Sequence, residues 1–92
     1  MTEEKIREAI SLYRKKFVEM NIVKETCGLD SFPGSFKASL ASCHAILDEV
    51  ENFLEEGSRE KLEKAFRWLG FIQGCLWSAG VYTINDLREH NK

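Results

Sequence analysis

The chain has 92 residues, of which 43% are hydrophobic and 30% charged, and its formal net charge is −2. This length predicts a single helical domain, residues 1–92, because single cores typically run to about 100–150 residues. The composition excludes a disordered chain, no apolar run is long enough to cross a membrane, and interleaved charges disfavour nucleic acid as a partner.

The cysteines and the first residues bear on location. Three cysteines, an odd number without a C-x-x-C pair, indicate reduced thiols, two of them acting as small buried hydrophobes. The polar start Thr2-Glu3-Glu4-Lys5 does not have the pattern of a signal peptide. We therefore expect a cytoplasmic protein.

The first predicted helix covers about residues 3–20, with Thr2 as its N-cap. One apolar stripe recurs at three- and four-residue steps: Ile6, Ala9, Ile10, Tyr13, Phe17 and Met20. The run Arg14-Lys15-Lys16 is interpreted as a solvated face, with a contact to phosphate or to an acidic partner as the alternative.

Residues 21–34 form the predicted connection. Ile22 and Val23 either extend the first helix or fold back on it, and Gly28, Pro33 and Gly34 are typical turn residues. Here Phe32 is expected to fold inward. The segment is interpreted as a linker with one aromatic anchor, the alternative being a binding loop.

The second predicted helix covers about residues 35–55 and ends at Gly57, a left-handed cap. Its apolar seam has nearly three heptads: Phe36, Leu40, Cys43, Leu47, Val50 and Leu54. The third helix, about residues 59–79 with Ser58 as N-cap, follows so closely that the two must form an antiparallel hairpin. Its own seam should face the second helix: Leu62, Ala65, Leu69, Ile72, Leu76 and Ala79.

After Gly80, Thr83 and Asp86 predict a capping box for a fourth helix, about residues 84–90. Ile84 and Leu87 are expected to pack it against the bundle, whereas residues 88–92 should fray. The predicted fold is thus a small all-α antiparallel bundle with three main helices and a short C-terminal one.

The third helix has a second stripe of apolar or small residues. Such a helix is normally covered on two sides, so the sequence predicts a homo-oligomer. Two internal glycines, each costing about 1 kcal/mol relative to alanine, suggest close approach of another helix, in large part a subunit contact. The alternatives are a ligand pressed against the helix and simple tolerance of glycine. Gln73 is expected either to bond a loop backbone or to serve as a specificity group. The candidate oligomer surface comprises Phe66, Gly70, Gln73, Gly74, Trp77 and Ser78.

Trp68 lies about 180° around this helix from Trp77, on the side of two lysines. An aromatic ring beside lysines can stack a base and hold a phosphate, whereas the alternative is a packed rim with snorkelling lysines. The candidate ligand contacts are Lys61, Lys64, Arg67 and Trp68.

The sequence contains no catalytic, metal-binding or cofactor-binding constellation that we recognise. Cys43 and His44 are adjacent and point about 100° apart on a helix, so they do not chelate together. The acidic residues between 48 and 56 lack the second acidic motif that helical nucleotide pyrophosphatases use for magnesium. We therefore expect a non-enzymatic protein without a cofactor.

Several strings in the second half of the chain carry a resemblance: Glu63-Lys64-Ala65-Phe66, R-W-L-G-F-I-Q-G-x-L-W (Arg67 to Trp77), Gly80-Val81-Tyr82-Thr83-Ile84 and the His90-Asn91 ending. The chain resembles, over about its C-terminal half, a group of small proteins encoded by tailed bacteriophages and prophages. The resemblance implies a phage accessory protein in the host cytoplasm that binds a host or viral protein stoichiometrically. The alternative is an oligomeric sponge for a small nucleotide signal, and a nucleic-acid-associated protein is the second alternative.

Overall fold

A computed structural model describes residues 2–92, and in this part of the chain every regular element is a helix. The four helices are α1 (Glu3–Glu19), α2 (Phe36–Glu56), α3 (Arg59–Ser78) and α4 (Ile84–His90). This order of three main helices and a short C-terminal one confirms the predicted fold class. The bounds differ from the predicted ones by no more than one residue at either end.

The hairpin of α2 and α3 forms where the turn residues require it. Gly57 ends α2 with a φ of 72°, in the left-handed region that favours glycine. Ser58 then caps α3, its hydroxyl accepting the Lys61 amide at 3.2 Å. Thr83 and Asp86 form the predicted capping box at α4, where each side chain accepts a backbone N–H of the other residue.

The core lies among the three long helices, with α3 packed mainly on α2 and α1 covering both. The apolar stripe of α1 is buried from Ile6 to Phe17, and the seams of α2 and α3 face each other. The largest fully buried side chains share this interior: Tyr13, Phe17, Ile6, Ile10, Leu47, Leu69, Ile72 and Leu76.

The end of α1 has a feature that the sequence reading missed. Asn21 takes a φ of 58°, the one positive φ outside glycine in residues 2–92, and reverses the chain after Met20. The Ile22 amide then donates to the Phe17 carbonyl at 2.8 Å, and the Ile22 side chain is buried. Ile22 therefore folds back on α1, while Val23 remains exposed.

Three apolar residues lie outside the core, contrary to prediction. Phe36, the first residue of α2 at the start of the expected seam, is 64% exposed and is not among the side chains that pack on the core. Phe32 is 93% exposed and does not fold inward. Ile84 is exposed as well, so Leu87 is the residue that packs α4 on the core.

Candidate functional site

A groove runs between the 24–34 connection, α2 and the Trp68 side of α3, and Trp68 lines both of its parts. Its wider part, about 620 Å³, lies against Cys27, Leu29 and Ile46. A narrower continuation of about 220 Å³ shares these residues and reaches Phe71. The Trp68 and Phe71 rings meet edge to face, with centroids 5.5 Å apart. We call this feature the Trp68 groove.

The wall formed by the connection is held at few points. The Glu25 amide donates to the Ala41 carbonyl at 3.2 Å, and the Ser31 amide to the Gly28 carbonyl at 3.0 Å. At its start, Nδ1–H of buried His44 donates to the Ile22 carbonyl at 2.8 Å. His44 is thus a structural tie that the sequence reading missed.

The apolar side chains on this wall are open to solvent. Leu29 lines the groove and is nevertheless fully exposed, and Phe32 lies three residues further along the same segment. A short irregular segment that leaves two large apolar side chains in water is typical of an interaction surface.

One end of the groove carries charge. Lys24, Asp48 and Glu49 line it, and Asp48 is bonded by the Lys24 ammonium at 2.9 Å and by Arg14 at 2.7 Å. The hydrogen bonds from Lys24 and then from Arg14 lower the pKa of Asp48, so it remains a carboxylate. Glu49 is exposed and adds a second negative charge.

Arg14 was interpreted as part of a solvated run, and that interpretation is wrong. Its guanidinium lies between α1 and α2, where it donates to Glu51 at 2.9 Å as well as to Asp48. Lys15 is exposed, and the Lys16 ammonium lies 5.9 Å from the centre of the Tyr82 ring. The acidic partner of Arg14 is therefore within the same chain.

The four candidate ligand contacts do not all lie together. Lys61 and Lys64 place their ammonium groups 5.4 and 5.9 Å from the centre of the Phe53 ring. Lys61 also pairs with Glu56 at 3.5 Å. Neither lysine lines the Trp68 groove, nor does Arg67. Of the four, Trp68 alone does.

The candidate oligomer surface is open to solvent, apart from one member. Phe66, Gly70, Gly74, Trp77 and Ser78 are all exposed. A Cβ added at either glycine would meet nothing within 4 Å in residues 2–92, so no element of this chain approaches them. Within residues 2–92, nothing covers this face.

Gln73 is the exception, because it is buried and faces the interior. Its Nε2–H donates to the Tyr13 hydroxyl at 3.0 Å and to Asn91 Oδ1 at 2.7 Å, and Asn91 Nδ2 donates back at 3.2 Å. The Tyr13 hydroxyl also lies 2.9 Å from His90 Nδ1. The prediction that Gln73 belongs to the candidate oligomer surface is therefore wrong. Its hydrogen-bond partners are side chains and not a loop backbone.

This cluster also corrects the expectation that the tail frays. His90 and Asn91 are held by Tyr13 and Gln73, and the His90 ring meets Tyr82 edge to face at 4.8 Å. Burial, opposed in part by the Gln73 hydrogen bond, raises the pKa of Tyr13 to about 12. The cluster is a hydrogen-bonded lock between α1, α3 and the C-terminal residues.

No group of three or more potential metal ligands occurs in residues 2–92. The thiol of Cys43 is buried, and burial, with Cys75 nearby, raises its pKa. Cys27 and Cys75 are half-buried, so one cysteine and not two behaves as a fully buried hydrophobe. Within the same residues, no helix combines the length and the apolar character needed to cross a membrane.

Comparison with protein-family models, with curated proteins and with solved structures finds no match for the chain.

Proposed function

We propose that the chain is a small non-enzymatic binding protein that forms a stoichiometric complex with another protein through the Trp68 groove. The observation that supports this most is the groove itself, with Trp68 exposed to 38% and fully exposed Leu29 at its edge. Half-exposed tryptophans in apolar grooves are typical centres of protein interfaces. The phage setting and the host cytoplasm follow from the resemblance and are part of the proposal.

The chemistry of the groove describes the partner segment. Its apolar part, between Trp68, Ile46 and Phe71, suits one or two leucine-sized or aromatic side chains. The acidic end, where Asp48 is already paired and Glu49 is not, suits a lysine or arginine one or two residues away. We therefore propose a partner surface that combines an apolar anchor with a basic residue.

The same charges argue against the nucleotide alternative. A phosphate in the groove would lie near the carboxylates of Asp48 and Glu49, with Lys24 as the one cation in the lining. The lysines that could have held it lie over Phe53. Nucleic acid meets the same obstacle, so a protein is the occupant that the groove favours.

Capture from a bacterial lysate by immobilised protein, with four variants, tests the proposal. Trp68→Ala should abolish capture, whereas Phe66→Ala should not, since Phe66 is equally exposed (39%) but lies about 160° away on the same helix. Glu49→Lys should weaken capture, while Glu55→Lys, an equal charge change elsewhere on α2, should not.

The readout is the molar ratio of captured protein to chain, followed by titration of the purified partner. A near-equal molar ratio of captured protein to chain with the wild type, reduced only in Trp68→Ala and Glu49→Lys, would support the proposal. Capture that is equal in Trp68→Ala and wild type would contradict it. A thermal shift with a millimolar cyclic or linear nucleotide, absent in Trp68→Ala, would favour the sponge alternative instead.

A further inference from the structure

One face of α3, directed away from Trp68, is almost uncharged and is covered by nothing in residues 2–92. We define the outer face by six exposed residues: Phe66, Arg67, Gly70, Gly74, Trp77 and Ser78. Arg67 carries its one charge, and no further charged residue follows until Asp86. Trp77 is 54% exposed and Phe66 is 39% exposed. Large aromatic side chains that a small domain exposes to water are typical of an interaction surface.

We propose that the outer face binds the same face of a second copy, with the two α3 helices antiparallel about a two-fold axis. Arg67 and Trp77 are ten residues apart, about 15 Å along the helix. In an antiparallel pair centred between Gly70 and Gly74, Arg67 of each copy lies across from Trp77 of the other. Each guanidinium then stacks on an indole ring, and the contact occurs twice.

The charge pattern selects this arrangement over a parallel one. In a parallel pair the two Arg67 side chains would face each other, as would the two Trp77 rings, so the only charges on the face would repel. Arg67 forms no ion pair within residues 2–92 and is available for the contact. Antiparallel helices also align their dipoles favourably.

The area of the outer face sets the expected affinity of the dimer. With about 150–250 Å² per aromatic side chain, Phe66 and Trp77 expose roughly 200 Å² per copy. A dimer built around them is at the small end of specific interfaces, below about 1,200 Å² in total. At the centre, Gly70 faces Gly74 of the second copy, and the open space at both permits the helices to approach closely. We expect reversible association at micromolar concentrations.

This proposal is independent of the proposed function, because the outer face is centred between Gly70 and Gly74, about 140° around α3 from Trp68. Trp68 and Trp77 are nine residues apart and lie about 180° apart around the helix. The dimer therefore leaves Trp68 and the wider part of each groove open. Each dimer would carry two partner molecules.

Sedimentation equilibrium from 1 to 200 μM tests the proposal with an exchange of residues. The wild type should shift from 10.6 kDa to twice that mass. Trp77→Arg should weaken association by roughly tenfold or more, because it replaces each stacking contact by a pair of like charges. Arg67→Trp is then added to it in a double variant. The double variant restores both contacts with the partners exchanged, and it should associate within about threefold of the wild type.

A second set of variants separates the interface from folding. Gly70→Ala with Gly74→Ala should raise the melting temperature at low concentration, because alanine favours the helix, and should weaken association, because the added methyl groups hold the helices apart. Trp68→Ala should associate as the wild type does. A wild type that remains at 10.6 kDa at 200 μM, or a double variant as weak as Trp77→Arg alone, would overturn the proposal.

Discussion

The Tyr13 hydroxyl is the point where α1, α3 and the C-terminal residues meet. Replacing Tyr13 with phenylalanine removes this hydroxyl and leaves the aromatic ring in place. The residue has no exposed surface, and its oxygen accepts from Gln73 Nε2 at 3.0 Å. The same hydroxyl forms a second hydrogen bond, 2.9 Å long, with His90 Nδ1, and the histidine tautomer sets which of the two atoms donates. The variant loses both hydrogen bonds while the ring stays packed.

The size of the stability loss follows from the hydrogen bonds that Gln73 keeps in the variant. Gln73 keeps its bond to Asn91 Oδ1, so one of its two amide protons stays paired, and the other is left buried without an acceptor. Leaving a buried polar group unsatisfied costs about 1–3 kcal/mol. We expect a loss of about 2 kcal/mol in the free energy of unfolding, which is roughly 8–16 °C in melting temperature for a domain of this size.

Thermal unfolding followed by circular dichroism measures this loss, and Tyr82→Phe is the matched control. Tyr82 is half-buried and stacks on the same histidine, but its hydroxyl makes no side-chain hydrogen bond within residues 2–92. That control should change the melting temperature by no more than about 2 °C. If Tyr13→Phe behaves like Tyr82→Phe, the lock does not hold the fold together.

Three further predictions concern pH and the helix ends. The raised pKa of Tyr13 means that its stabilising effect is complete below pH 10 and is lost as the pH rises through about 12, so wild type should lose more stability over this range than Tyr13→Phe. Arg14→Gln should lower the free energy of unfolding by less than about 1 kcal/mol and should make it less sensitive to acid, because Arg14 lowers the pKa of Asp48 and Glu51 on α2. Lys15→Gln, at an exposed position, should do neither. Gly57→Ala should cost about 1 kcal/mol in a urea titration because its φ is 72°, whereas Gly34→Ala, where φ is not positive and space is open, should be nearly neutral. Equal midpoints for the two alanine variants would contradict the capping argument.

The helices could be predicted from the sequence because local signals and long periodicity agreed. Thr83 with Asp86, Ser58 and Gly57 are short-range signals whose chemistry works within a few residues. The α2 and α3 seams repeat every seven residues, and a hairpin this short leaves one way to pair them. Phe36 was misplaced because periodicity does not show where the core ends.

The polar contacts could not be predicted in the same way, since each joins residues distant in sequence. Tyr13 and His90 are 77 residues apart, and Gln73 meets both Tyr13 and Asn91. Gln73 stood out as polar among apolar residues, which indicated burial but not the partner. For His44, no signal in the sequence pointed to the Ile22 carbonyl.

The candidate surfaces were partly predictable. The sequence indicated that α3 is apolar on two sides, and the structure leaves the Phe66 and Trp77 side exposed. It did not indicate the groove beside Trp68, because its opposite wall is an irregular segment with Leu29, whose path depends on the Ile22 and Ala41 backbone contacts.

The most direct test of the binding proposal is the native mass of the complex captured from lysate. The proposal predicts one partner molecule for each chain with the wild type, and none with Trp68→Ala at the same protein concentration. The Phe66→Ala control should retain the partner at the same ratio. A complex of unchanged mass and yield with Trp68→Ala, or no partner at near-equal amounts with the wild type, would contradict it.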